Sequence, residues 1–375
     1  MIEAKDASHS IIHRDEFAYC AHPHAAVAAD GSWLVVFNRA PKRRFVLHPP
    51  EDPLFHNVLI RSNDQGSSWS TPQVVPGYNF SGTECAGLTV LKNGSVLLNQ
   101  WRFDWYPLDL ARGFSDQSSL TYPDTLMKGL LTSPEHEVSH LAHVPSEELA
   151  PWVRGGGQTF VHVSNDNGAS FATNVRIDTA PYSGGYGMRS AAVLPQGTIV
   201  LLLSDVPNYR QVFAVRSNDG GFSWSIPVQV AGGAGHEFEE PAVAVCKSGK
   251  LIAVLRDNAT RMLHQAESAD DGKTWSSPRR LDITGYPADL LVLADGRLLM
   301  TYGWRQPDFG IRAVLSHDEG GTWNGSEAIR IRGGLPNKNL GYPSTINVSS
   351  MWFVTFYYGE DATGCTCIMS TRWQL

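Results

Sequence analysis

Four arginines, Arg39, Arg102, Arg256 and Arg305, recur at equivalent places in the chain. Each stands seven to nine residues after the glycine of a polar-Gly turn that joins two apolar runs. Asp205 and Tyr358 hold the matching places in two further repeats of the same pattern. The apolar runs before these turns open on a second polar set: His22 and His24, Glu84, Arg189, Glu239 with Glu240, Tyr286 with Asp289, and Tyr342. Buried like charges are costly unless an anion pairs with them. A planar guanidinium binds a carboxylate through two parallel hydrogen bonds. The arginines that remain after pairing within the set therefore point to an anionic, carboxylate-bearing ligand; the alternative is that they bridge neighbouring elements through Asp and Glu. A separate constellation, His136-Glu137-Val138-Ser139-His140 with His143 beyond it, fits the H-E-x-x-H pattern that lines up imidazoles for zinc on one helix face.

Two interleaved repeats indicate the elements that must position these groups. The first is a hairpin turn, seen at Asp30-Gly31, Asn93-Gly94, Gln196-Gly197, Ser248-Gly249 and Asp295-Gly296, with a sixth, degenerate version near Ser349 and Ser350. The second is the octapeptide Ser-x-Asp-x-Gly-x-x-Trp, at Ser62–Trp69, Ser217–Trp224, Ser268–Trp275 and Ser316–Trp323, and at Ser164–Phe171 with Phe in the last place. A motif recurring at about 50 residues marks a propeller or solenoid. Six hairpins predict an all-β fold, a six-bladed β-propeller held in a single domain spanning 1–375. The inner strand of each blade then runs along the axis, and the polar residues above gather at one mouth of the channel. From turn glycine to octapeptide serine the gap is 20, 19 and 20 residues in blades three to five, but 31 in blade one and 70 in blade two. Blade one therefore carries an insertion at about 42–56 and blade two a long one at about 103–153, both expected as loops over the site. The H-E-x-x-H match falls inside the second insertion, where a helix over the pocket is the expected reading. No metal and no cofactor are expected. A segment at about Ser10–Phe17 is expected to close the ring.

The octapeptide is identified as the Asp-box of the sialidase-like (BNR repeat) β-propellers, and the resemblance spans the chain from about residue 18 onward. It implies that the boxes lie on the outer rim as structural turns. The run Glu240-Pro241 through Gly249 to Arg256 resembles the family's Glu before a hairpin and Arg at its end. Gly341-Tyr342-Pro343-Ser344 resembles the context of its tyrosine nucleophile. The resemblance thus implies an exo-glycosidase, an exo-α-sialidase type of glycoside hydrolase, acting on sialylated or other acidic glycans with retention. Tyr342 would be the nucleophile, Glu240 its base, and Asp52, in the blade-one loop with Glu51 behind it, the acid. The family's Arg-Ile-Pro triplet is replaced by Ala21-His22-Pro23-His24, so the first arginine of its carboxylate clamp is missing. Arg305 and Arg312 both lie near the place of the third, and Arg39 or Arg305 could rebuild the clamp around Arg256. Two alternatives remain open: a hydrolase or lyase of uronate-containing glycans using His22 or His24 as proton carrier, and a non-catalytic glycan-binding propeller.

Composition narrows the field further. The net charge is −7 over 375 residues, with no long basic run, which speaks against nucleic acid. Five cysteines make no disulfide framework. The opening Met-Ile-Glu-Ala-Lys-Asp lacks the apolar core of a signal peptide, and no segment has the length and apolarity to span a bilayer. The sequence as it stands reads as cytoplasmic, with a mature secreted form as the alternative, and no membrane partner is expected. It does not indicate an oligomeric state.

Overall fold

In a computed structural model, described over residues 1–42, 52–76, 81–83, 85–132 and 139–375, the chain folds into six small sheets, antiparallel but for one short N-terminal strand, arranged as the blades of a propeller. Blade four shows the plan: inner strand Phe238–Val245, then Leu251–Asp257, Met262–Ser268 and the short outer strand Arg279–Arg280. The two inner strands of each blade are almost wholly apolar and buried on both faces, because each blade is covered by its neighbours. The turns between them are three-residue hairpin loops. The N–H of Gly31, for example, donates to Ala28 O at 2.9 Å. The turn glycines Gly31, Gly94, Gly197, Gly249 and Gly296 have φ between 83° and 96°, a conformation a side chain would strain.

The octapeptides form the connection from the third strand to the fourth. In the first, Ser62 Oγ donates to Asp64 Oδ1 at 2.8 Å and accepts from Gly66 N at 2.8 Å. Asp64 also accepts Ser68 N at 2.8 Å and Ser68 Oγ at 2.6 Å. These bonds pull its carboxyl down to about 2. The last residue of the motif wedges against the preceding blade: Trp69 meets Phe356 of blade six edge-on at 5.8 Å, and Trp323 Nε1 donates to Gln265 of blade four at 2.7 Å. The repeat is thus a brace between blades, remote from the axis.

The ring closes at its N-terminus. Lys5–His13 forms the outer strand of blade six, antiparallel to Thr366–Gln374, so the closing strand starts and ends earlier in the chain than the expected Ser10–Phe17. Ile2–Glu3 adds to blade five in parallel with Ile329–Arg332. In blade two the strands Val96–Pro107 and Trp152–Ser164 run far beyond the seven residues usual in blades three to five. Between them lie helices Leu108–Arg112, Pro123–Thr132 and Ser146–Leu149, of which Pro123–Thr132 reaches the cavity described below. No helix among the described residues is long and apolar enough to cross a membrane.

Candidate active site

The site is built on three kinks of the inner strands. The ladders of blades one, four and six lose register between Ala21 and His24, Glu239 and Ala242, and Gly341 and Ser344. At each bulge one residue before a proline takes a left-handed conformation: His22 (φ 56°), Glu240 (φ 52°) and Tyr342 (φ 53°). Such backbone costs about 1–3 kcal/mol per residue and clusters at functional sites. A bulge re-aims its side chain, and here all three point into one cavity of about 390 Å³, within the rough 300–1,000 Å³ range of small-molecule sites. Its lining also includes Glu239, Arg256, Asn258 and Arg154, with Tyr186 and Tyr209 as an aromatic wall 5.8 Å apart. Thr121, Thr125 and Leu126 of the blade-two insertion cover it.

At its centre Tyr342 Oη donates to Glu240 Oε1 at 2.5 Å. Arg256 Nη1 donates to Glu240 Oε2 at 2.7 Å and Arg256 Nε to Asn258 Oδ1 at 2.7 Å, while Arg256 Nε lies 3.6 Å from Glu239 Oε1. The guanidinium rests over the Tyr286 ring at 4.4 Å. Glu240 is fixed through its backbone as well, its N–H donating to Ser204 Oγ at 2.8 Å. Arg305 flanks the phenol: its guanidinium is 5.6 Å from the Tyr342 ring, and its Nη2 is 3.5 Å from Tyr358 Oη. The His22 ring lies 4.2 Å from that of Tyr342, with Nδ1 3.1 Å from Asn38 Oδ1.

The two glutamates are driven apart. Burial pushes Glu240 up, but the charge of Arg256 and the hydrogen bonds from Arg256 and Tyr342 outweigh it, so its carboxyl stays below the usual range and is ionised at neutral pH. Burial and the adjacent Glu240 charge push Glu239 up to about 7, despite Arg256. Burial and then the Glu240 charge raise Tyr342 well above the ordinary phenol value, against Arg256 and Arg305. The centre is a neutral phenol bonded to an ionised carboxylate, beside a second carboxyl that titrates near neutrality.

The structure places the remaining expected residues elsewhere. Arg39 pairs with Asp15 at 2.5 Å, Arg102 lies over Phe160 at 4.9 Å, and Arg312 stacks on Trp304 at 3.4 Å; none lines the cavity. Strand alternation explains the first two. Arg256 and Arg305 stand seven and nine residues after their turn glycines, whereas Arg39 and Arg102 stand eight after theirs and face the other way. The inward seventh positions in blades one, two and three are Asn38, Trp101 and Ser204. Arg189 is a strut behind the site. It is 2% exposed, donates from Nε to Ala288 O at 3.0 Å and sits 3.9 Å from Asp289, which in turn accepts Thr345 N at 2.9 Å. His24 is buried between blades, with Leu88 N 3.1 Å from Nδ1 and Ser190 N 3.2 Å from Nε2, and does not line the cavity; burial and Arg189 lower it to about 3. Asp52 is 1% exposed and accepts Leu54 N at 2.9 Å; it is not among the cavity-lining residues described. Glu51 and Glu84 lie outside the described residues, as do His136 and Glu137. His140 and His143 are exposed, away from the cavity lining.

Arg154, Tyr186 and Tyr209 are not among the expected residues; Tyr186 pairs with Ser204 as Glu239 pairs with Arg256 one blade on, so the repeat carries a signal for it, whereas Arg154 and Tyr209 belong to no repeat position. Arg154 is 5% exposed, bridges to Thr121 through paired backbone bonds of 2.8 and 3.0 Å, and faces the Trp101 and Phe103 rings at 5.6 Å. Potential metal ligands cluster, among the described residues, at His236, Asp257 and His264, and at Asp361, Cys365 and Cys367. Asp257 is already engaged by Glu237 N, Ala259 N and Thr260 Oγ1, as a turn-forming aspartate is. Neither cluster lines the cavity.

No curated protein sequence matches the chain. Among solved structures it is similar to a protein of unknown function from Dyadobacter fermentans, at 22% identity and a TM-score of 0.81, over 99% of this chain and 98% of that one. It is similar to the NanB sialidase of Streptococcus pneumoniae, here its K499G mutant, at 12% identity and a TM-score of 0.69, over 97% and 70%. It is also similar to an α-L-arabinanase of Penicillium chrysogenum, at 12% identity and a TM-score of 0.61, over 97% of both chains. These likenesses establish the sialidase-like propeller fold. Residues 149–354, more than half of the chain, match the family described as BNR repeat-like domain, and the chain belongs to that family.

Proposed function

We propose that the protein is a retaining exo-glycosidase that removes a terminal acidic sugar, with Tyr342 as nucleophile and Glu240 as its base. The observation that carries this reading is the 2.5 Å hydrogen bond from Tyr342 to Glu240 inside the cavity, with the second Glu240 oxygen held by Arg256. An anionic substrate repels a carboxylate nucleophile, and a phenol that starts neutral avoids the repulsion, the known exception to the two-carboxylate scheme. Because Tyr342 resists ionisation, its proton must leave as the bond to the anomeric carbon forms, and the ionised Glu240 is placed to take it. Arg256, Arg305 and Arg154 supply positive charge around the same space, which suits a sugar carboxylate. The likeness to a solved sialidase makes sialic acid the first sugar to test. Tyr342→Phe is expected to lower kcat/KM on an aryl sialoside by on the order of 10³-fold or more, with folding retained. Near-full activity would sink the mechanism.

A second reading keeps the fold and changes the chemistry. His22, in the segment that replaces the family's Arg-Ile-Pro triplet, lies 4.2 Å from Tyr342, and a His–Tyr pair can move the protons of an elimination from a uronate. A lyase would release an unsaturated product absorbing in the near ultraviolet, so uronate glycans incubated without that signal would count against it.

A further inference from the structure

The proposed mechanism needs a proton donor for the leaving oxygen, and Asp52 is not among the residues lining the cavity. We infer that Glu239, the residue beside the base, is the acid/base catalyst; the inference rests on the reading of Tyr342 and Glu240 given above. In a regular strand successive side chains point to opposite faces. The bulge between Glu239 and Ala242, with Glu240 at φ 52°, breaks that alternation and turns both carboxyl groups into one cavity. Both share one cation: Arg256 lies 2.7 Å from Glu240 and 3.6 Å from Glu239. The closer contact, together with the Tyr342 bond, keeps Glu240 ionised. A second buried negative charge beside it is disfavoured, so Glu239 is the group of the two that holds a proton.

The remaining contacts of Glu239 fit a group that must both give and take a proton. Tyr186 Oη lies 3.3 Å from Glu239 Oε2, and Asn258 Nδ2 donates to Oε1. Asn258 is itself held by Arg256, so the position of the carboxyl is coupled to that of the base. The Glu239 side chain is 10% exposed and that of Glu240 4%, so Glu239 is the more open of the pair. Its titration near neutrality suits a group that changes role within one cycle. In the first step the Tyr342 oxygen bonds the anomeric carbon as the bond to the leaving oxygen breaks. The phenolic proton passes to Glu240, and the Glu239 proton passes to the leaving oxygen. In the second step water attacks the same carbon and gives a proton to the Glu239 carboxylate. The bond to Tyr342 breaks, and Glu240 returns the proton to the phenol. The net reaction is hydrolysis.

The test compares Glu239→Gln, Asp52→Asn and Tyr342→Phe on two substrates of one acidic sugar: an activated nitrophenyl glycoside, whose leaving group needs no proton, and an alkyl glycoside, whose leaving group does. Glu239→Gln is expected to lose about 10²–10⁴-fold on the alkyl glycoside and under tenfold on the formation of the glycosyl-enzyme from the nitrophenyl glycoside. It should also lose the alkaline fall in kcat/KM near pH 7. Equal effects of Glu239→Gln on both substrates, or the same leaving-group dependence appearing in Asp52→Asn instead, would overturn the assignment. A carboxyl NMR titration of Glu239 in the unmutated protein guards against misfolding of the variant: a transition near pH 7 is expected, and one near pH 4 contradicts the role. Failure of the parent reading looks different, because Tyr342→Phe would then turn over the nitrophenyl glycoside normally, or the unmutated protein would turn over neither substrate.

Discussion

Replacing Arg256 by Met should destabilise the fold in a way that grows with pH. The substitution keeps the bulk of the aliphatic stem and removes a cation that Glu239 and Glu240 share. In the intact protein the Glu240 carboxyl lies below its ordinary value because Arg256 outweighs burial. Its stabilising contribution is therefore present above the unfolded pKa of roughly 4.3 and is lost as pH falls. Without Arg256 the largest of the lowering influences disappears; the Tyr342 bond and the Arg305 charge remain, but burial now outweighs them and raises the group. Stability is then lost as pH rises through the new, higher folded value. At pH 5 the pair can keep a proton, and the loss is that of the charge-assisted bond, about 1.5–3 kcal/mol. At pH 8 a buried charge has lost its direct ion pair and keeps only the Tyr342 bond and the more distant Arg305, and the loss reaches about 3–5 kcal/mol. Unfolding entropy near Tm is about 0.8 kcal/mol/K for 375 residues. The expected Tm deficit is therefore about 2–4 °C at pH 5 and about 4–6 °C at pH 8, read by differential scanning calorimetry of both proteins. An equal deficit at the two pH values, or a larger one at pH 5, would refute the reasoning that Arg256 is what keeps Glu240 charged.

Two further outcomes test other parts of the account. Asp219→Ala removes bonds from Phe222 N, Ser223 N and Ser223 Oγ in an exposed octapeptide; denaturant unfolding should show a loss of about 1 kcal/mol, and an unchanged kcat/KM would fit a brace between blades whereas a large fall would not. His24, lowered by burial and Arg189 to about 3, contributes stability that is present above its unfolded value of roughly 6.5 and lost as pH falls toward 3. His24→Gln should accordingly flatten the fall in Tm between pH 6.5 and 4, and an unchanged slope would assign that acid sensitivity to other groups.

How far the sequence reveals this molecule depends on what repeats. The octapeptide and the hairpin glycines are local turn chemistry recurring in five of the six blades, so they mark the blades and the blade-two insertion. Tyr342, Glu240 and Arg256 could be found because they stand at repeat positions; the X-Pro dipeptide shared by His22, Glu240 and Tyr342 is the visible trace of the bulges that aim them. Arg39 and Arg102 were misplaced by one step of strand alternation, since a count of seven against eight from the turn decides which face a side chain takes. Arg312 is drawn away by the Trp304 ring. Arg154 lies on the irregular extension of the strand Trp152–Ser164 and Tyr209 on a connecting loop, where no periodicity constrains the reading, and only tertiary packing brings them to the cavity. That Glu239 faces inward beside Glu240 follows from a backbone kink, and regular alternation would have assigned it to the opposite face.

The central claim is that Tyr342 becomes covalently attached to the sugar. The most direct measurement is peptide mass spectrometry after incubation with a sialic acid bearing fluorine beside the anomeric carbon and a good leaving group, which slows release of the intermediate. The account predicts a glycosyl adduct on the peptide containing Tyr342, absent from Tyr342→Phe. Turnover of the parent sialoside with inversion and no adduct, or an adduct carried by a carboxylate, would contradict it.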